Sequence, residues 1–244
     1  MSPNLIRVNN IMALLPAYNE AGSIGHVIEG VKQVLPQADI VVIDDCSTDN
    51  TVQVARDAGA TVVCIPCNLG IGGAVQTGFK FAREHNYDVV IRLDGDGQHD
   101  PRDIPKILEA LKSTGAEMVI GSRFLDGAGE QAGLLRSVGI RFFRLVLRPI
   151  LGRPVRDPTS GFVGVNRAAL EVFSRSFPLE YPEIEALVVL QRRAFRFHEV
   201  PCRFRPRRAG KSTITALKSL YYIVHVLLGV FVNVLKYEGG REKR

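Results

Sequence analysis

A chain of 244 residues with 46% hydrophobic and 23% charged side chains can bury the core of one α/β domain with a small appendage. It is too short for two full domains and too apolar for a disordered chain. The formal net charge of +6 suits an anionic partner, whether nucleic acid, phospholipid headgroups or a phosphate-rich substrate, and does not choose among them.

In chain order, short apolar runs alternate with stretches of helical period, the pattern of βαβ units and a mostly parallel sheet flanked by helices. Strands are expected at Ile11–Leu15, Ile40–Ile43, Thr61–Ile65, Val89–Leu93 and Met118–Ser122, with Pro16 ending the first. Helices are expected between them at Ser23–Val34, Thr48–Ala58, Ile71–His85 and Pro105–Ser113. From about Asp126 the sequence turns Gly- and Arg-rich around an apolar helix near Ile140–Ile150. A further α/β portion follows, with a strand at Gly161–Val165, helices at Arg167–Ser174 and Glu183–Ala194, and a strand near His198–Phe204. A basic turn, Arg203–Lys211, then leads to an apolar helix from about Ile214 to Leu235. That helix is borderline in length for a membrane span, so an interfacial or re-entrant placement against anionic headgroups is expected, with an oligomer contact as the alternative. The first apolar run is too short for a signal peptide, which points to a protein facing the cytoplasm. The four cysteines include Cys64-x-x-Cys67 without a second pair at zinc-ribbon spacing, so reduced structural thiols are expected.

Several polar clusters fall at the carboxyl ends of the expected strands, and in an open α/β sheet the ligand crevice lies outside those ends. The strongest is Asp94-Gly95-Asp96-Gly97-Gln98-His99, where two carboxylates on a turn can hold a hard divalent cation whose remaining oxygens come from a diphosphate. An isolated D-x-D is more often a solvated acidic turn; its neighbours decide. Asp44 and Asp45, closing the second strand, can bind a base and a ribose hydroxyl, with Ser47 or Thr48 capping the next helix. Pro16-Ala17-Tyr18-Asn19-Glu20 offers a ring and polar groups to a nucleoside. The Gly-rich entry Asn68–Ala74 lacks a P-loop lysine, and close helix packing explains it better than a phosphate cradle. Asp157 can orient an arginine or a sugar hydroxyl, or simply cap a turn, whereas His26 and His99 read as polar surface.

Pro16–Glu20, Asp44–Thr51, Asn68–Gly78, Asp94–Pro101, Gly121–Arg123, Asp157–Phe162 and Arg207–Ser212 resemble, in that order, the motifs of family-two GT-A glycosyltransferases, in the branch of dolichyl-phosphate mannose synthases and polyprenyl-phosphate glycosyltransferases. The resemblance implies a GT-A, Rossmann-like domain over residues 1–205, with a nucleotide-sugar half at about 1–123 and an acceptor half at about 124–205. Residues 206–244 would then form a basic loop and a membrane-associating or oligomerising helix. It implies that Pro16, Tyr18, Glu20, Asp44 and Asp45 contact the nucleoside, and that Asp94, Asp96 and Gln98 hold Mg2+ or Mn2+ and the diphosphate. Arg123, Arg207 and Ser212 would serve the acceptor phosphate, guanidinium groups being suited to fork onto phosphate oxygens. The implied activity is inverting sugar transfer from a nucleotide diphosphate sugar to a polyprenyl phosphate, at the cytoplasmic face of the membrane, by a peripheral or monotopic protein. An anionic phosphate acceptor needs no strong base; a sugar-hydroxyl acceptor, or a lipid-linked glycan, would use Glu183 or Glu185 as one. No motif supports nucleic acid as the partner.

Overall fold

The computed structural model describes residues 10–125, 145, 147–180 and 182–205. Its elements, in order, are β1 (Ile11–Ala17), α1 (Ile24–Val34), β2 (Asp39–Asp44), α2 (Thr51–Asp57), β3 (Thr61–Cys64), α3 (Gly70–Glu84), β4 (Val89–Arg92), a 3-10 turn (Pro101–Asp103), α4 (Ile104–Thr114), β5 (Met118–Ser122), β6 (Val163–Asn166), α5 (Arg167–Arg175), α6 (Pro182–Arg192) and β7 (Phe197–Pro201). Residues 147–151 are also helical; the rest of the helix expected near Ile140–Ile150, apart from Leu145, lies outside the described residues, as do Arg207, Ser212 and the apolar stretch 214–235. Among the described residues no helix is long and apolar enough to cross a membrane.

The strands make one seven-stranded sheet in the order β3-β2-β1-β4-β6-β5-β7. Pairing is parallel except on either side of β6, which runs antiparallel to both β4 and β5. Alternation along the strands fills two cores. On β1, Met12 and Leu14 join one apolar cluster with Phe79 of α3, Phe173 of α5 and Leu187 of α6. Ala13 and Leu15 join the other, with Ile28 of α1, Ala55 of α2 and Ile107 of α4. The helices follow the same physics. Ile24, Val27, Ile28 and Val31 recur at three- and four-residue spacing and are the buried stripe of α1. Gly115, at φ 61°, ends α4 in the left-handed conformation that suits a helix C-terminus.

At the ends of β1 and β2 two details differ from the expectations. Pro16 lies within β1 rather than after it, paired with Ile43 of β2. The β4 ladder stops at Leu14↔Arg92, and the Pro16 carbonyl accepts from the N–H of Gly95 at 3.3 Å, so the missing proline N–H falls beyond the end of β4 and loses no ladder bond. Ser47 and Thr48 do not cap α2, which starts three residues later. The Ser47 hydroxyl accepts from the N–H of Asn19 at 2.9 Å and the Asn19 side chain accepts from the N–H of Thr48 at 2.8 Å, lacing the β2–α2 loop to the β1–α1 loop.

Helix α3 packs too closely for side chains at Gly72 and Gly78. A Cβ at Gly72 would meet the Leu179 carbonyl oxygen at 2.2 Å, and one at Gly78 would meet Leu14 Cδ1 at 2.2 Å. Alanine in a helix interior normally gains about 1 kcal/mol over glycine. Here the sign reverses: Gly78→Ala is expected to lower stability by about 1–3 kcal/mol, because Leu14 is fully buried and must be displaced. Urea unfolding of the two proteins measures the difference.

Candidate functional site

The topology carries the candidate strand ends among the described residues to one sheet edge. Strands β1, β2 and β4 are parallel, so their carboxyl ends, with Tyr18, Asp44, Asp45 and Asp94, lie together. Because β6 is antiparallel, its first residue, Val163, sits opposite Arg92, which brings the preceding Asp157–Phe162 segment to the same edge. The ends of β5 and β7, Ser122↔Pro201, follow suit and deliver Arg123 and Phe204–Arg205 there.

On the β1–β2 side, Tyr18 is 48% exposed, a ring face open at the edge. Glu20 accepts from the Ser23 hydroxyl at 2.8 Å, while its own N–H donates to Thr51 Oγ1 at 2.8 Å. Asp44 is buried; its Oδ2 accepts from the N–H of Ser47 at 3.1 Å, and its Oδ1 is a buried acceptor with no protein partner. Such a group favours a donor from a ligand or water. Asp45 spends both oxygens on the entry to α3, accepting from the N–H groups of Leu69 at 2.7 Å and Gly70 at 2.8 Å. The Gly-rich helix start is therefore closed by a carboxylate and by tight packing, consistent with the packing explanation for its glycines.

The Asp94–Asp103 turn is built around buried charge. Asp96 is buried and its Oδ1 accepts from the N–H of Gln98 at 2.9 Å, which curls the turn. The N–H of Asp94 donates to His99 Nδ1 at 3.0 Å. His99, expected at the surface, is buried: its ring stacks on Phe162 at 5.1 Å and meets the Phe204 ring edge-on at 5.0 Å. Burial pushes its imidazole below the ordinary histidine range, so the ring is neutral with its proton on Nε2, the tautomer its Nδ1 acceptor role requires. Asp100 accepts from Arg102 Nη2 at 2.6 Å and Arg205 Nη2 at 3.0 Å, and the Arg102 contact first of all holds its carboxyl well below the usual range. Asp103 is buried, which works to raise its pKa; the N–H of Arg203 at 2.6 Å and Lys106 outweigh this and hold it low. The chain segment that precedes Arg207 is thus moored to this turn at Asp103, at the His99↔Phe204 bridge and at the Gln98 carbonyl, which accepts from the N–H of Arg205 at 2.8 Å.

Arg123 lies across the edge, clamped by Asp157. Its Nε donates to Asp157 Oδ2 and its Nη2 to Asp157 Oδ1, each at 2.7 Å, with Nη2 also reaching Thr159 Oγ1 at 2.8 Å. The guanidinium lies 5.0 Å over the Phe204 ring. Of the roles open to Asp157, orienting an arginine is the one its contacts show.

Glu183, in the first turn of α6, accepts from Arg92 Nη2 at 2.8 Å, and the same nitrogen reaches Asp94 Oδ1 at 3.1 Å. Glu185 is buried. Arg92 was not singled out by the sequence. The available signal was its parity: counting from Val90 along β4, position 92 faces the core shared with Phe79 and Phe173, where a charge must have a partner. A cavity of about 420 Å3 flanks the turn on its α1 side, lined by His26, Gln33, Arg102 and Arg205; the nucleoside-side candidates Tyr18, Asp44 and Asp45 do not line it.

The oxygen donors at the turn, two carboxylates and the Gln98 amide, form a hard set that fits Mg2+ or Mn2+. Among the described residues no group of three or more His, Cys, Asp or Glu side chains could hold a metal ion.

The model of the family described as Glycosyl transferase family 2 matches residues 13–173. The chain is 28% identical to an undecaprenyl-phosphate mannosyltransferase of Micrococcus luteus, over 84% of this chain and 87% of that one. It is 29% identical to a UDP-N-acetylglucosamine–dolichyl-phosphate N-acetylglucosaminyltransferase of Methanococcus voltae, over 95% of this chain and 97% of that one. Among solved structures, it is similar to glucosyl-3-phosphoglycerate synthase from Mycobacterium tuberculosis in complex with Mn2+, UDP-glucose and phosphoglyceric acid. The TM-score is 0.72 at 25% identity, over 91% of this chain and 80% of that one.

Proposed function

The chain belongs to glycosyl transferase family 2, and from that premise we propose that it transfers a sugar, with inversion, from a nucleoside diphosphate sugar to a polyprenyl phosphate at the cytoplasmic membrane surface. The observation that carries this reading is the meeting at one sheet edge of the Asp44–Asp45 pair, the Asp94–Gln98 turn and the clamped Arg123. The M. luteus and M. voltae relatives, both named for transfer to a polyprenyl or dolichyl phosphate, support the acceptor class.

In this reading Pro16, Tyr18, Glu20 and Asp44 form the nucleoside side, with the unpartnered Asp44 Oδ1 accepting a donor from base or ribose. Asp45 acts there by fixing the start of α3. Asp94, Asp96 and Gln98 hold the divalent cation, Mg2+ or Mn2+, which when bound supplies charge neutralisation at the leaving diphosphate. Arg123 receives the anionic acceptor oxygens with the guanidinium edge that Asp157 leaves open, and Asp157, by holding Nε and Nη2, fixes the side chain so that little entropy is lost on binding. Arg207 and Ser212, outside the described residues, are assigned to the same acceptor site. Residues up to about 123 serve the donor and 124–205 the acceptor, while 206–244 contribute the basic loop and the membrane or subunit contact. A phosphate acceptor is already ionised near neutral pH, so positioning and charge stabilisation supply the catalysis.

A hydroxyl acceptor is the second reading, favoured by the place of Glu183 one guanidinium away from Asp94 and by the phosphoglyceric acid in the mycobacterial neighbour. Undecaprenyl phosphate and a lipid-linked glycan, offered in parallel with labelled donor, separate the two. Product from the phosphate alone, labile to mild acid, is expected; product from the glycan would transfer the assignment to a hydroxyl-using enzyme with Glu183 as base.

A further inference from the structure

Arg92 is 3% exposed and lies on the central strand β4, at a position whose alternation places it among Phe79, Phe173 and Phe177 under the start of α6. An aliphatic residue there would need no partners. The guanidinium needs them, because an ion taken out of water must recover its lost hydration from hydrogen-bonded counter-charges. It finds Asp94 and Glu183 through one nitrogen, at 3.1 and 2.8 Å, while its Nε is buried without a partner. Burial opposes its charge, and the Asp94 and Glu183 carboxylates more than offset that, holding its pKa above the ordinary arginine value. The fold also clears room for the contact: a Cβ at Gly161 would lie 2.9 Å from both Arg92 Nη2 and Asp94 Oδ2.

We propose that Arg92 is a positioning residue that divides its charge between Asp94 on the donor side and Glu183 on the acceptor side. It thereby sets both the orientation of Asp94 and how strongly that carboxylate attracts a divalent cation. The inference rests on the reading of Asp94 and Asp96 as the cation site. Glu183 is then an adjuster of Asp94, acting through the shared guanidinium. With Glu183 neutral, Arg92 turns wholly to Asp94 and competes with the cation; with Arg92 absent, Asp94 keeps its full charge but loses its anchor.

The test is Mn2+ titration of the whole chain with saturating UDP and, separately, GDP, counting free Mn2+ by electron paramagnetic resonance. Glu183→Gln, close to isosteric, is expected to weaken Mn2+ binding by about threefold to tenfold, and Arg92→Met to tighten it by a similar factor while slowing turnover. In the Arg92→Met background, Glu183→Gln should have no further effect on Mn2+. A purely structural ion pair would lower the melting temperature in these variants and leave the affinities alone, and that result overturns the proposal. Should Arg92→Met not fold, Glu183→Gln decides by itself: weakened Mn2+ binding supports the inference, unchanged binding overturns it. If the unaltered protein binds no Mn2+ with either nucleotide, the cation-site reading itself fails, an outcome distinct from the loss of coupling.

Discussion

Asp96→Asn is expected to lower kcat/KM for sugar transfer by about 10²–10³-fold while leaving the melting temperature within a few degrees of the parent. Asparagine keeps the shape of the side chain, and its amide oxygen can still accept from the N–H of Gln98, the bond that curls the turn. What is lost is one unit of negative charge on a buried oxygen pair. If the carboxylate served only the turn, the substitution would be nearly silent. If it holds a divalent cation against a leaving diphosphate, the loss falls on the transition state, where the diphosphate gains charge. Steady-state rates at several Mn2+ concentrations make the distinction: partial recovery at high Mn2+ is expected, and activity within tenfold of the parent at ordinary Mn2+ would sink the assignment.

Asp157→Ala should be the most destabilising of the single substitutions considered, by about 3–5 kcal/mol, because it strands a charge. Asp157 is fully buried and receives the backbone N–H of Arg123 together with Nε and Nη2 of its guanidinium. Its own N–H donates to Glu199 of β7, so the residue also ties the 157–162 segment to the far side of the sheet. For a chain of this size the penalty corresponds to a fall of roughly 6–20 °C in Tm. Adding Arg123→Met to Asp157→Ala removes the stranded guanidinium and should recover part of the stability but none of the activity. Recovery of activity would show that Arg123 has no part in transfer. Differential scanning calorimetry and the transfer assay, run on the parent, Asp157→Ala, Arg123→Met and the double variant, report both halves of the cycle.

The first half of the fold was legible because its signals are local. Strands β1 to β5 and helices α1 to α4 each carry an apolar period that their own residues display, and the D-x-D turn, Asp44–Asp45 and the Arg123 position follow the ends of those strands. Legibility weakened where structure depends on distant partners. Nothing in the run Gly161–Val165 says that β6 inserts between β4 and β5 in the opposite sense, yet that insertion is what brings Asp157 to Arg123. The strand expected at His198–Phe204 stops at Pro201, and Phe204 instead bridges to His99 across the sheet edge. His99, read as surface, and Arg92, not noticed, were missed for a related reason. Hydropathy marks both as polar, hence outside, and only the tertiary partners, Phe162 and Phe204 for one and Asp94 and Glu183 for the other, make their burial tolerable. Ser47 and Thr48 fit the helix-cap pattern but are drawn instead to Asn19 in a neighbouring loop, a contact without local trace.

The measurement that bears most directly on the function is transfer of labelled sugar from a panel of GDP-, UDP- and dTDP-sugars to undecaprenyl phosphate in detergent, with and without EDTA. One donor is expected to yield a lipid product whose formation stops on chelation and returns with Mg2+ or Mn2+. A lipid product formed equally well in EDTA, or binding of a nucleotide sugar with no transfer to the lipid phosphate under any condition, would contradict it.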